Sequence, residues 1–259
     1  MMLSKLQRIR TAHLLCGALL LGGFACATSR AAVYYVDSGF QGEAPTGESW
    51  LSAFPSIRLA MESAATNGVE EIWVKAGFYK PEGEGRNTSI ELLPNMALYG
   101  GFRGNETEKS QRNPKINRTI LSGDIGRSGL PSDNCYHVLT AADHCRIDGF
   151  IISRGNANSI AEHRFGGGLR IPANVQNVVI ANCTFEKNNA ETGGAIHLDQ
   201  ASAQITNCTF YSNSAEQGGA IATQGKSVMN VVDSIFSSNF APGSGGGIMA
   251  SPELDASLN

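Results

Sequence analysis

CTFEKNNAETGGAI (Cys183 to Ile196), CTFYSNSAEQGGAI (Cys208 to Ile221) and SIFSSNFAPGSGGGI (Ser234 to Ile248) are three copies of one cassette. Phe185, Phe210 and Phe236 stand 25 and 26 residues apart, Asn188, Asn213 and Asn239 keep that spacing, and Ile196, Ile221 and Ile248 follow at 25 and 27. A short period with small insertions marks a solenoid. Several Gly and Asn in each copy, and no sustained helical apolar period, argue against helical repeats. The runs VVIANCTF, AQITNCTF and NVVDSIF combine β-branched and aromatic residues with Asn or Asp at a corner. Each copy therefore reads as two or three short strands joined by tight bends, one coil of a parallel β-helix.

Side-chain direction sets the register. Ile180 and Ile205 point inward, Asn182, Asn207 and Asp233 occupy a bend, and the bend resets the parity so that Cys183, Cys208 and Ser234, then Phe185, Phe210 and Phe236, also face in. Each inward position stacks on its counterpart about 4.8 Å away along the axis. Stacked Phe makes a dry core, and stacked Asn can bond along a ladder. In GGAI, Gly193, Gly194, Gly218, Gly219, Gly245 and Gly246 permit a bend or a close approach of coils.

These residues carry a family resemblance. FxxN followed by GGA[ILV] resembles the repeat pair of the chlamydial polymorphic outer membrane proteins and related bacterial β-helix proteins. It is carried here by Phe185-Asn188 with Gly193-Ile196 and by Phe210-Asn213 with Gly218-Ile221. The third copy, Phe236-Asn239 with Gly245-Ile248, departs by one inserted residue and by Gly247 in place of Ala. The resemblance implies a right-handed β-helix displayed at a cell surface and linked to adhesion.

Residues 1 to 31 read as an export signal: Lys5, Arg8 and Arg10 precede the apolar run from His13 to Ala27, and Ala25-Cys26-Ala27 and Ser29-Arg30-Ala31 offer cleavage sites. The run is shorter than the roughly 20 residues a membrane span needs. The expectation is an exported chain with no transmembrane segment after cleavage, at the outer membrane surface or outside the cell. Four of the 20 basic residues and none of the 23 acidic ones lie in that segment, so the remainder carries a net −7. That balance excludes nucleic acid and anionic membrane surfaces as expected partners.

Residues 32 to 102 read as an N-terminal cap with the first coils, and residues 103 to 259 as further coils. Val33 to Val36 is a strand. Pro55 opens a short helix with Ile57, Ala60, Met61 and Ala64 on one face and Gly68 just past its end, and Glu71 to Lys75 alternates as a strand. A helix before the coils suits the need of a solenoid to cover its open end. The order carried by Tyr34 to Asp37, Ser49-Trp50, Phe54 to Ile57, Glu71 to Pro81 and Leu98 to Glu106 resembles the N-terminal region of exported bacterial proteins with pectin-lyase-like β-helices. Further on, Ile147, Phe150, Ile152 and Ala157 align with Ile180, Cys183, Phe185 and Ala190 at a constant 33 residues, a degenerate coil with an insertion near Asn158 to Phe165. The charged loop at 103 to 118 reads as a solvated face, with a binding loop as the alternative. The polar tail SPELDASLN is too short for more coils, so the chain reads as a fragment of a longer repeat protein.

Four cysteines follow the signal. Cys135 and Cys145 flank YHVLTAADH and are a candidate disulfide stapling a hairpin or one coil edge. Cys183 and Cys208 occupy equivalent positions of adjacent coils, where buried thiols are favoured over a disulfide. Neither pair has the spacing of a zinc site.

Because parallel β-helices include polysaccharide lyases and hydrolases, outward positions matter. Arg170, His197, Ala222 and Met249 form one outward column, and Pro172, Asp199, Gln224 and Ser251 the next. His197 and Asp199 are the reactive types there. With no second carboxylate in either column, they read as side chains on a solvated face rather than as catalysts. Asp124, Asp133, Asp143 and Asp148 lie near the degenerate coil, Asp124 and Asp148 in turns. No nucleophile-elbow or phosphate-loop motif is present. The expectation is an all-β, right-handed parallel β-helix with a short N-terminal helix, non-catalytic and without cofactor. Its expected partners are a host-cell surface, a glycan or further copies of itself. The alternative is a polysaccharide-binding or polysaccharide-cleaving module, for which Ca2+ enters as a cofactor.

Overall fold

The computed structural model describes residues 32–250, so the expected export signal and the polar tail lie outside the described residues. Three long parallel sheets wrap around one core. The first contains Val33–Val36, Glu71–Lys75, Ala97–Phe102, Arg146–Asp148, Val178–Ala181, Ser202–Thr206 and Val228–Val232. The second runs through Gly77–Tyr79, Thr119–Ser122, Phe150–Ser153, Thr184–Glu186, Thr209–Tyr211 and Ile235–Ser237. The third runs through Ile90–Glu91, Leu139–Thr140, Leu169–Ile171, Ile196–Asp199, Ile221–Gln224 and Ile248–Ala250. Each full coil gives one strand to each sheet, which is the expected β-helix.

Three corners per cassette turn the chain, all with left-handed backbone. The first is Asn182, Asn207 and Asp233, with φ of 52, 53 and 50°. Asn and Asp tolerate this region. The third is Gly193, Gly218 and Gly245, where φ is 68, 63 and 64° and a Cβ is disfavoured. The second corner, Lys187, Ser212 and Ser238 at 55, 53 and 56°, uses residues that seldom take this conformation. At Lys187 and Ser212 it is held by the inward asparagine of the next coil. Asn188, Asn213 and Asn239 turn inward, and the Oδ1 of Asn213 accepts from the backbone N–H of Asn188 (3.1 Å) while its Nδ2 donates to the carbonyl of Phe185 (2.9 Å). Asn239 repeats both bonds one coil on, to the N–H of Asn213 and the carbonyl of Phe210.

Inside, Phe210 lies between Phe185 and Phe236, with ring centroids 5.2 and 4.7 Å apart and planes within 10° of parallel. Ile147, Ile180 and Ile205 stack in the same way on the first sheet. The helix, Ile57–Asn67, is capped by Ser56, whose Oγ accepts from the N–H of Leu59, and ends at Gly68 with φ 66°. Its buried residues are Ile57, Ala60, Met61 and Ala64, and they join the core beside Tyr34 and Val36.

The candidate Cys135–Cys145 disulfide is not formed: both thiols are free and fully buried. The intervening residues are no hairpin. They carry Leu139–Thr140, a two-residue strand of the third sheet paired in parallel with Ile90–Glu91 and Leu169–Ile171, so the chain runs on along a coil rather than doubling back on itself. Burial pushes the Cys135 thiol up to about 12 and the Cys145 thiol up to about 11. Cys183 and Cys208 are also free and buried, and burial raises the Cys183 thiol well above its usual value.

Candidate functional site

His197 occupies the third sheet, paired to Arg170 on one side and Ala222 on the other, with Thr140 and Met249 completing the column. Alternation along the strand sends its side chain outward. Outward here does not mean solvated. The insertion folds back over the sheet through a single turn, Ala161–Arg164, and the Phe165 ring settles 4.5 Å from the imidazole. His197 is left 2% exposed, which corrects the expected solvated face. Burial, and then the nearby Arg170 cation, lower its pKa to about 4. The imidazole is therefore neutral at physiological pH, and its buried Nε2 finds no hydrogen-bond partner among the described residues.

A pair of histidines, His137 and His163, anchors the covering turn. His163 Nδ1 lies 3.5 Å from His137 Nε2, and its ring stacks on Tyr136 at 4.8 Å. His137 Nδ1 is 3.0 Å from the carbonyl of Gly166, and burial first, with the Arg170 and His163 charges, lowers its pKa to about 4. Asp199, two residues beyond His197, is half-buried, and one of its oxygens is unpartnered.

A cleft of about 420 Å3 opens beside His197, lined by Arg164, Phe165, Glu191, Glu216 and Met249 among others. Glu191 and Glu216 are one coil apart and stand in the turn before the strand, so the strand columns leave them out. Their 25-residue spacing is the signal that finds them. Glu191 is engaged by Arg164 at 3.1 Å.

Most of the remaining sequence candidates serve the scaffold. Asp148 is held by Arg112 (2.5 Å) and Arg146 (3.2 Å) and accepts from Asn182 Nδ2 (2.8 Å). Asp124 Oδ2 accepts from the N–H of Gly129 and from Arg154. Asp133 and Asp143 accept the backbone N–H groups of Arg127 and Gln176. Nothing draws these four into one cluster with His197. Among the described residues no group of three or more His, Cys, Asp or Glu is arranged to hold a metal ion.

The loop at 103 to 118 is not a merely solvated face. Glu106 is buried, its carbonyl accepts from Trp50 Nε1 (3.0 Å), and its carboxylate accepts the N–H groups of Arg103, Gly104 and Asn105. Burial works against that charge, yet these donors hold the carboxyl below its usual range. Lys109 bonds Glu71 at 2.8 Å, with its ammonium over the Tyr99 ring. Arg112 adds the carbonyls of Gly100 and Asp148 to its carboxylate contact. Anchored at these points, the loop forms one wall of a second cleft of about 720 Å3 over the corner between the first and second sheets.

No helix among the described residues is long and apolar enough to cross a membrane. A model of the family described as right handed beta helix region matches residues 111–253, more than half of the chain. No curated protein and no solved structure matches it.

Proposed function

We propose that this chain, which belongs to the family of right-handed β-helix regions, acts without covalent chemistry, as an exported rod at the cell surface or outside the cell that adheres through its outer faces to a host-cell surface, a glycan or copies of itself. The observation that carries this reading is the state of His197. A histidine sealed under Phe165 with a pKa near 4 is packing material rather than a base poised near neutrality. The resemblance of the FxxN and GGAI cassettes to surface-displayed repeats supports the location.

The test is retention of the purified chain on cultured cells and on immobilised polysaccharides, with the supernatants assayed for shortened products. Dose-dependent retention at micromolar concentration is expected, unchanged by His197→Ala with Asp199→Ala and without cleavage. A second reading, glycan cleavage, is favoured by Glu191 and Glu216 lining one cleft one coil apart, since paired carboxyl groups are the machinery of glycoside hydrolysis. Shortened products that disappear in Glu191→Gln with Glu216→Gln would replace the first reading with the second.

A further inference from the structure

The second cleft crosses four consecutive coils. Its floor is an outward column of the second sheet in which Ile151 pairs with Thr184, Thr184 with Thr209 and Thr209 with Ile235. Three rung intervals give it a length of about 14 Å, room for a chain rather than a single small molecule. Asn182 and Asn207 rise beside the column on the exposed corner, linked by a 2.7 Å bond from Asn207 Nδ2 to Asn182 Oδ1. The Thr184 and Thr209 hydroxyls are engaged by no other described residue.

The wall supplies charge. Lys109, Arg112, Lys115 and Arg118 all line the cleft. The first two are occupied by Glu71 and Asp148. Lys115 and Arg118 are exposed, and no acidic side chain among the described residues pairs with either. Two free cations over a row of hydroxyls and amides stand out on a chain whose residues after 31 carry a net −7. A negative molecule repels polyanions in general, so attraction needs a local cationic patch such as this one. The polarity is graded as well. Asp233 follows Asn207 at the corner one coil on, so the end away from the loop is negative.

We propose that this cleft binds a linear anionic polysaccharide, with carboxylate or sulfate groups at Lys115 and Arg118 and neutral hydroxyls along Thr184, Thr209, Asn182 and Asn207. The proposal rests on the recognition reading above and names its ligand class. Evenly spaced neutral donors and acceptors match the repeated hydroxyls of a sugar chain, and cations at one end match its acidic groups. A nucleic acid strand is disfavoured, because the one aromatic ring in the lining, Phe150, is 1% exposed and offers no platform for stacked bases.

The experiment measures binding of the full chain to polygalacturonate, heparin, neutral dextran and single-stranded oligonucleotide at several salt concentrations, with product analysis of each mixture. Binding to polygalacturonate or heparin but not dextran is expected, with affinity falling as salt rises. The preferred arm separates carboxylate from sulfate recognition. Lys115→Gln with Arg118→Gln, both on exposed side chains, should weaken binding by about tenfold or more. Thr184→Val with Thr209→Val, isosteric on the strand, should weaken it by a smaller factor and leave the salt dependence unchanged. Equal binding by the wild type and the Lys115/Arg118 variant overturns the cleft. Equal or tighter binding of the oligonucleotide overturns the ligand class. Retention on cells with no anionic glycan bound overturns this proposal and leaves the adhesive reading standing, whereas shortened glycan products overturn the adhesive reading itself.

Discussion

Asn188, Asn213 and Asn239 form a column inside the coils, and Asn182 and Asn207, headed by Asp148, form one outside. Both climb one residue per coil, and both link side chain to side chain. Asn188 and Asn213 are buried and Asn239 half-buried, and each also serves backbone groups at the second corner that no strand reaches. The outer amides are exposed and bond chiefly to one another, so water can replace what they lose. The same residue at the same period is scaffold in one place and available surface in the other. Burial and backbone engagement, not residue type, decide which.

Phe210→Ala gives the largest effect on the inner side. The ring is fully buried between two others, and removing it leaves a cavity that rigid rungs cannot collapse. Urea unfolding should show a loss of about 3 to 5 kcal/mol. Asn213→Ala comes next. It orphans the buried N–H of Asn188 and the carbonyl of Phe185, and the expected loss by the same measurement is about 2 to 4 kcal/mol. A smaller loss, below that of an ordinary surface substitution, would mean that the strands and not the asparagines hold the second corner.

The contrast also marks what the sequence could say. Coil period, inward Phe, the bends at Asn182 and Asn207 and the helix between Ser56 and Gly68 are local patterns repeated or capped in the chain, so they were legible. The second corner was not. Lys187 and Ser212 carry no turn signal, and the asparagines that hold their corners, Asn213 and Asn239, come from the next coil. His197 was misread because alternation predicts direction and not cover. Its cover comes from an insertion more than thirty residues upstream, which no period reports. Cys135 and Cys145 misled in the opposite sense, since a spacing that suits a hairpin also suits a short strand that pairs only in parallel with neighbouring coils. Lys115 and Arg118 looked like solvated charge because their place over residues 150 to 209 is set by contacts distant in sequence.

His197 sharpens the comparison, being outward in register and inward in environment. A base whose folded pKa is about 4 against an ordinary 6.5 takes up its proton more readily in the unfolded chain. Stability therefore falls as pH drops from about 6.5 towards 4, and is level again below that window. His137 contributes in the same direction. Replacing His197 with Gln should remove up to one proton from this dependence, flattening the plot of unfolding free energy against pH by at most about 1.4 kcal/mol per unit. An unchanged slope would mean that the Phe165 cover opens readily and that His197 is accessible after all.

The smallest effect expected is the one on which the outer column depends. Asn207→Gly keeps the left-handed corner at φ 53°, because glycine accepts that backbone without strain, and removes only the exposed bond to Asn182. A loss below about 1 kcal/mol in urea unfolding is expected. The choice of glycine matters, since Ala at the same corner would add the penalty of a Cβ in the left-handed region and mimic a structural role. Glycine isolates the amide. If its loss matched that of Asn213→Ala, the outer asparagines would be committed to the scaffold and could not also yield their amides to a ligand. A small loss in stability joined to weaker retention of an anionic glycan would separate the two columns in function as they are already separated in space.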